Sequence, residues 1–191
     1  MTTIVLVRKG DSAVIAADSL TTFGTTRLAP AYDRSPEKIV AYRDSFIGVA
    51  GSAAHQLVLE NLLARTPNLD FHGKAAIYDT FRKLHPILKD EAFLNPKEEE
   101  DDPYESSQMT VMIANPSGIF AVYSMREVFE FDRFWAIGSG RDFALGAMYS
   151  VYGRAKNAKA VAEAGVLAGA EFDTGTALPA NVHEVALMGS G

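Results

Sequence analysis

The sequence predicts an α+β fold of four layers, an αββα sandwich, and three observations lead there. Short apolar, β-branched runs fall in blocks, as strands covered on both faces require. Helical periodicities come in pairs between those blocks, not singly between strands, which argues against a doubly wound α/β sheet. The chain has 191 residues with 48% hydrophobic and 22% charged content, enough for one domain with its own core. No linker or internal repeat divides it, so residues 1–191 read as a single domain.

The elements follow in order. Thr3 to Arg8 is a strand signature, Lys9-Gly10-Asp11 a turn, and Ala13 to Ala17 a second strand ending at Asp18. Ser19 to Glu37 is polar and holds Pro30 and Pro36, so it reads as a loop with at most a short strand. Lys38 to Tyr42 and Ser45 to Ala50 form a hairpin through Arg43-Asp44. Ser52 is a good N-cap for a helix whose stripe is Leu59, Leu62 and Leu63. A second helix spans about Lys74 to Phe93, with Ile77, Phe81, Leu84 and Leu88 on one face and Pro86 as a potential kink.

Asn95 to Ser107 lacks apolar periodicity and carries Glu98, Glu99, Glu100, Asp101, Asp102 and Glu105. Such a run is ordinarily a solvated loop. Strands follow at Met109 to Ala114, Ile119 to Tyr123, Val128 to Phe131 and Phe134 to Ile137. Gly138-Ser139-Gly140 turns into a helix over about Asp142 to Tyr152, and an alanine-rich helix follows Asn157. The last strand is Val182 to Leu187.

Composition narrows the chemistry. The chain has no cysteine, which excludes disulfides, thiolate catalysis and Cys-ligated metal. A net charge of −6 and a pI near 5.2 weigh against a nucleic-acid partner. No apolar run reaches the roughly 20 residues that span a bilayer, so no membrane partner is expected. His55, His72, His85 and His183 sit in no nucleophile-elbow or His-Glu-x-x-His context. Gly138-Ser139-Gly140 lacks the rest of a phosphate loop and is by itself an ordinary turn. No metal and no cofactor are therefore expected.

Thr2 carries a further possibility. Methionine before a small residue is commonly trimmed, and an exposed Thr2 would hold a hydroxyl and a free α-amine. With an ordinary pKa of about 7.7–8.0, that amine is able to take the hydroxyl proton near neutral pH. The plainer alternative is that Thr2 merely begins a strand.

Thr2-Thr3-Ile4-Val5, Asp18, Lys38, Gly51 after Gly48-Val49-Ala50, and Gly138-Ser139-Gly140 occur in an order and spacing that resemble the β-type subunits of proteasomes. The bacterial HslV type is most similar: it too opens Thr-Thr-Ile-Val and carries Ala-Ile-Gly-Ser-Gly before its third helix. The likeness covers about Thr2 to Val185. The added Asn95 to Ser107 loop is similar to the betaproteobacterial proteasome homologue subfamily.

The resemblance implies an N-terminal-nucleophile hydrolase fold and a threonine-type endopeptidase. It implies Thr2 as nucleophile and base, Lys38 beside the hydroxyl, Asp18 holding Lys38, Gly51 as oxyanion donor and Ser139 beside the amine. The family's further Asp and Ser fall on Glu171 and Thr174. Thr21, Val40, Val49, Ala53 and Leu57 match the pocket for P1, the residue before the scissile bond, and predict an apolar P1. The resemblance further implies a cytoplasmic homo-oligomeric double ring, of 14 subunits or alternatively 12, acting on peptide or unfolded protein. An AAA+ unfoldase partner is left open. The competing readings are a non-catalytic ring subunit, a small-molecule amidase of the same fold class, and an unrelated binding module.

Overall fold

The structure, a computed structural model, describes residues 1–97 and 99–189. Glu98 of the acidic run lies outside the described residues. Two antiparallel sheets lie face to face with a helix pair outside each. The smaller sheet has the order β10 (Phe134–Gly138), β1 (Thr3–Lys9), β2 (Ser12–Ala17), β11 (Asn181–Ala186). The larger runs β5 (Ile39–Tyr42), β6 (Ser45–Ala50), β7 (Thr110–Asn115), β8 (Gly118–Val122), β9 (Val128–Glu130). Helices α1 (Ala53–Arg65) and α2 (Lys74–Asp90) follow β6, and α3 (Arg141–Tyr152) and α4 (Ala158–Phe172) follow β10.

The layers come from alternation within the strands. In β1, Ile4 and Leu6 point between the sheets, where they meet Ile15, Met112 and Ile119. Val5 and Val7 point the other way, onto Met148, Val161 and Val166 of α3 and α4. A third cluster joins Ile47, Val111 and Phe120 of the larger sheet to Leu59 and Leu62 of α1 and Phe81 and Leu84 of α2. Three apolar layers between four structural ones account for runs that are apolar on both faces.

The small residues of α4 let it sit close. A Cβ on Gly165 would come 2.9 Å from Met148 Cγ, and one on Gly169 would come 2.6 Å from Thr3 Oγ1. The α1 cap is as expected, with Ser52 accepting from the Ala54 N–H, and Asn157 caps α4 likewise.

Two local expectations change. Ser19 to Glu37 is not simply a loop: it holds a hairpin of β3 (Thr21–Phe23) and β4 (Thr26–Leu28), then a 3₁₀ turn at Pro30–Tyr32. Strands this short carry too little periodicity to read from sequence. Helix α2 runs continuously through Pro86 and stops at Asp90 rather than Phe93. The burial of Phe81, Leu84 and Leu88 on one stripe holds it against the proline's missing hydrogen bond.

Candidate active site

The strand ends place the polar groups. Residue 2 precedes β1, Asp18 follows the neighbouring β2, and Lys38 precedes β5 of the other sheet. All three side chains meet in a buried pocket at one end of the sandwich. Lys38 Nζ donates to Thr2 Oγ1 at 2.6 Å and to Asp18 Oδ1 at 2.7 Å, and Thr2 Oγ1 donates to Asp18 Oδ1 at 2.7 Å.

Asp18 is fully buried, and its charge is answered on every side. Besides the lysine and the hydroxyl, it accepts from the N–H groups of Thr3, Leu20 and Ala177 at 3.0, 3.0 and 3.2 Å. That satisfies a carboxylate taken out of water. Burial lowers the Lys38 pKa below the ordinary 10.5, against the opposing pull of Asp18 and, more weakly, Asp173. The ammonium therefore lies closer to neutrality than a surface lysine while still donating to the hydroxyl.

Gly138-Ser139-Gly140 packs against the backbone of Thr2 and Thr3. Gly138 adopts φ +92°, and a Cβ there would stand 2.0 Å from the Thr2 carbonyl oxygen. A Cβ on Gly140 would stand 2.1 Å from Thr3 Oγ1. The glycines thus permit Ser139 to reach residue 2: its Oγ accepts from the Thr2 N–H at 3.2 Å. Met1 is attached in this structure, so the Thr2 nitrogen is an amide with no lone pair for proton uptake.

The partners of Ser139 differ from those expected. Asp173 Oδ2 accepts from Ser139 Oγ at 2.7 Å and from Thr176 Oγ1 at 2.6 Å, and Thr176 Oγ1 meets Thr3 Oγ1 at 2.7 Å. Glu171 and Thr174 are exposed and reach none of these groups. The reason is the length of α4, which runs to Phe172 and keeps Glu171 on its last turn. Asp173 is the first residue to leave the helix and turns back towards Ser139. The Asp173 and Thr176 pair has the same three-residue spacing and an actual aspartate, which was the available signal. Burial raises the Asp173 pKa, but its bonds to Ser139, Thr176 and the Gly175 N–H outweigh that and hold the carboxyl below its ordinary 3.8.

A cavity of about 370 Å³ opens beside Thr2, within the range of small-ligand sites. Thr21, Val49, Gly51 and Ala53 line it, as do Glu37, Lys38 and Gln56. Gly51 adopts φ +150°, and a Cβ there would press on His55 Nδ1 at 3.0 Å. Two expected lining residues are elsewhere. Val40 packs into the core between sheet and α1–α2, and Leu57 faces outward, 69% exposed. One step round α1, Gln56 takes the place assigned to Leu57, since that turn of the helix presents 53 and 56 on one face.

No metal-ligand cluster occurs among the described residues. No described helix is long and apolar enough to cross a membrane.

The chain matches no protein-family model and no curated protein sequence. Solved structures do match. Thiobacillus denitrificans BPH in complex with epoxomicin superposes with a TM-score of 0.91 at 39% identity, covering 98% of this chain and 100% of that one. A second structure of Thiobacillus denitrificans BPH gives 0.91 at 40% identity, covering 97% and 98%. HslV from Trypanosoma brucei gives 0.72 at 22% identity, covering 96% and 99%, and shares the fold. The chain belongs to the proteasome β-subunit family. It is a proteasome-type threonine peptidase on the αββα fold.

Within this proteasome-type frame, the groups brought together are Thr2, Asp18, Lys38, Ser139, Asp173 and Thr176. Sequence reasoning missed Asp173, Thr176, Glu37 and Gln56.

Proposed function

We propose that Thr2, freed by removal of Met1, is the nucleophile of a self-compartmentalising threonine endopeptidase. The observation that carries this is the position of Thr2 Oγ1, held at 2.6 Å by the Lys38 ammonium and at 2.7 Å by the Asp18 carboxylate.

The free α-amine takes the Oγ1 proton as Oγ1 bonds to the substrate carbonyl carbon. Lys38 stabilises the negative charge as it develops on Oγ1, a role that requires its protonated form. The carbonyl oxygen becomes an oxyanion and accepts from the Gly51 N–H. The C–N bond then breaks, and the leaving amine recovers the proton from the Thr2 ammonium. An ester remains on Oγ1. Water, losing a proton to the same amine, attacks that ester and releases the carboxylate product and Thr2. Ser139, oriented by Asp173, positions the amine throughout. These residues alone suffice for acyl transfer.

Phe143 and Tyr149 of α3 and Leu167 and Phe172 of α4 are exposed in the single chain, with Phe143 and Phe172 rings 5.5 Å apart. Exposed apolar area of this kind marks an interface between proteins. It supports homo-oligomeric assembly, which we read as a double ring of 14 or alternatively 12 subunits that encloses the active sites and admits peptide or unfolded protein. Native mass of wild type and of Leu167→Arg tests this: the variant should give smaller species, and an unchanged mass would count against that face.

The nucleophile is tested with an epoxyketone, a warhead that needs both a hydroxyl and a free amine. Since BPH of Thiobacillus denitrificans is described in complex with epoxomicin, this chain is expected to add one probe mass at Thr2, and Thr2→Ala none. Modification elsewhere, or full hydrolysis by Thr2→Ala, would end the proposal.

A further inference from the structure

The cavity beside Thr2 carries an inference about substrate, resting on the peptidase reading above. Its walls are mixed. Leu20, Val49 and Ala53 supply apolar surface, while Thr21, Glu37 and Gln56 supply polar groups. Which of those polar atoms remain uncommitted decides what side chain fits.

Lys38 and Glu37 are the charged lining residues, and they differ in commitment. Lys38 is tied to Asp18 and Thr2 at 2.7 and 2.6 Å, so its charge is answered within the chain. The Glu37 carboxylate is exposed and makes no hydrogen bond or ion pair among the described residues. The Gln56 amide nitrogen donates to the Glu37 carbonyl oxygen at 2.7 Å and to Glu60 Oε1 at 2.9 Å. Both partners are acceptors, which fixes the amide orientation and engages both of its hydrogens. Gln56 Oε1 is left as a second unpartnered acceptor. Among the described residues the cavity therefore offers a side-chain carboxylate and a side-chain amide oxygen, with no unpartnered cationic side chain or side-chain amide donor to match them.

We propose that this cavity selects a cationic P1 side chain, lysine or arginine, and that Glu37 and Gln56 are its specificity-determining residues. The aliphatic stem lies along Leu20, Val49 and Ala53, and the charged head reaches Glu37 at the rim. An acidic P1 would meet a like charge there. An apolar P1 would fill the wall and leave the acceptors to water. The apolar preference expected from sequence rested on Val40, Val49, Ala53 and Leu57; of these Val49 and Ala53 line the cavity, and Val40 and Leu57 do not.

The test is a fluorogenic peptide panel with P2 to P4 held constant and P1 set to Arg, Lys, Gln, Leu, Phe or Asp, assayed on the assembled, Met1-free protein. Wild type should cleave after Arg and Lys about twofold to fivefold faster in kcat/KM than after Leu, as an exposed ion pair allows. It should not cleave after Asp. Glu37→Gln should bring the Arg-to-Leu ratio to about one, and Glu37→Lys should invert the Asp-to-Arg order. Gln56→Leu should lower the ratio as well. A ratio below one in wild type, or one unmoved by both Glu37 variants, would overturn the proposal. Epoxyketone labelling of Thr2 in the same samples separates the two claims. Labelling without the P1 preference defeats only the specificity, whereas absence of labelling defeats the peptidase assignment to Thr2.

Discussion

Asp173 Oδ2 and Ser139 Oγ lie 2.7 Å apart, linking the residue just beyond α4 to the turn before α3 and, through Ser139, to the nitrogen of Thr2. The link crosses the helix pair and makes the position of the nucleophile depend on where α4 ends. Asp173→Asn keeps the shape and removes the charge that two hydroxyls donate to. Losing charge-assisted bonds worth about 1.5–3 kcal/mol predicts a fall of about 10- to 100-fold in kcat. Glu171→Gln, exposed on the last turn, should stay within about twofold. Steady-state kinetics of the pair check this, and equal losses in both would restore the sequence-based register.

The Lys38 pKa gives a pH dependence with a definite sign. Burial places it below the ordinary 10.5, and the mechanism requires the ammonium. Activity should therefore fall with rising pH before 10.5 is reached. Its lower limb should follow deprotonation of the Thr2 amine, a group whose ordinary pKa is about 7.7–8.0. Stability moves the other way for this group. Between the folded pKa and 10.5 the unfolded chain binds the proton better, so the Lys38 contribution to stability rises as pH climbs through the folded value. A pH–kcat/KM profile alongside thermal unfolding separates the two. Activity that persists to the ordinary lysine range would contradict the burial effect.

Two glycines of similar appearance should behave oppositely. Gly138→Ala puts a Cβ where the Thr2 carbonyl oxygen lies 2.0 Å away, at φ +92°. Overpacking and strain together predict a loss of about 1–3 kcal/mol or more, with Thr2 displaced. Gly146 lies inside α3 with nothing within 4 Å of an added Cβ. Gly146→Ala should be neutral or stabilise by about 0.5–1 kcal/mol. Urea unfolding of both variants provides the comparison, and a harmless Gly138→Ala would refute the close approach.

The layered fold was legible because β1 and β2 are apolar on both faces, a pattern that only a central position explains. The Thr2, Asp18 and Lys38 constellation was legible through family likeness, since residues 36 positions apart meet only by way of two sheets. Asp173 and Thr176 were not, because a helix end is poorly defined by alanine-rich sequence and a two-residue register error passes unnoticed there. The β3–β4 hairpin escaped because strands of three residues carry too little periodicity. Leu57 was assigned by family likeness, whereas the face of α1 that lines the cavity carries Ala53 and Gln56.

The central claim is that the Thr2 α-amine is the base, and the most direct measurement varies that amine alone. One preparation carries a cleavable N-terminal tag that liberates Thr2, and the other retains Met1, with intact mass confirming each. The liberated protein should hydrolyse peptide and take up one epoxyketone, while the Met1-bearing protein, equally assembled, should do neither. Equal turnover by the two preparations would contradict the account.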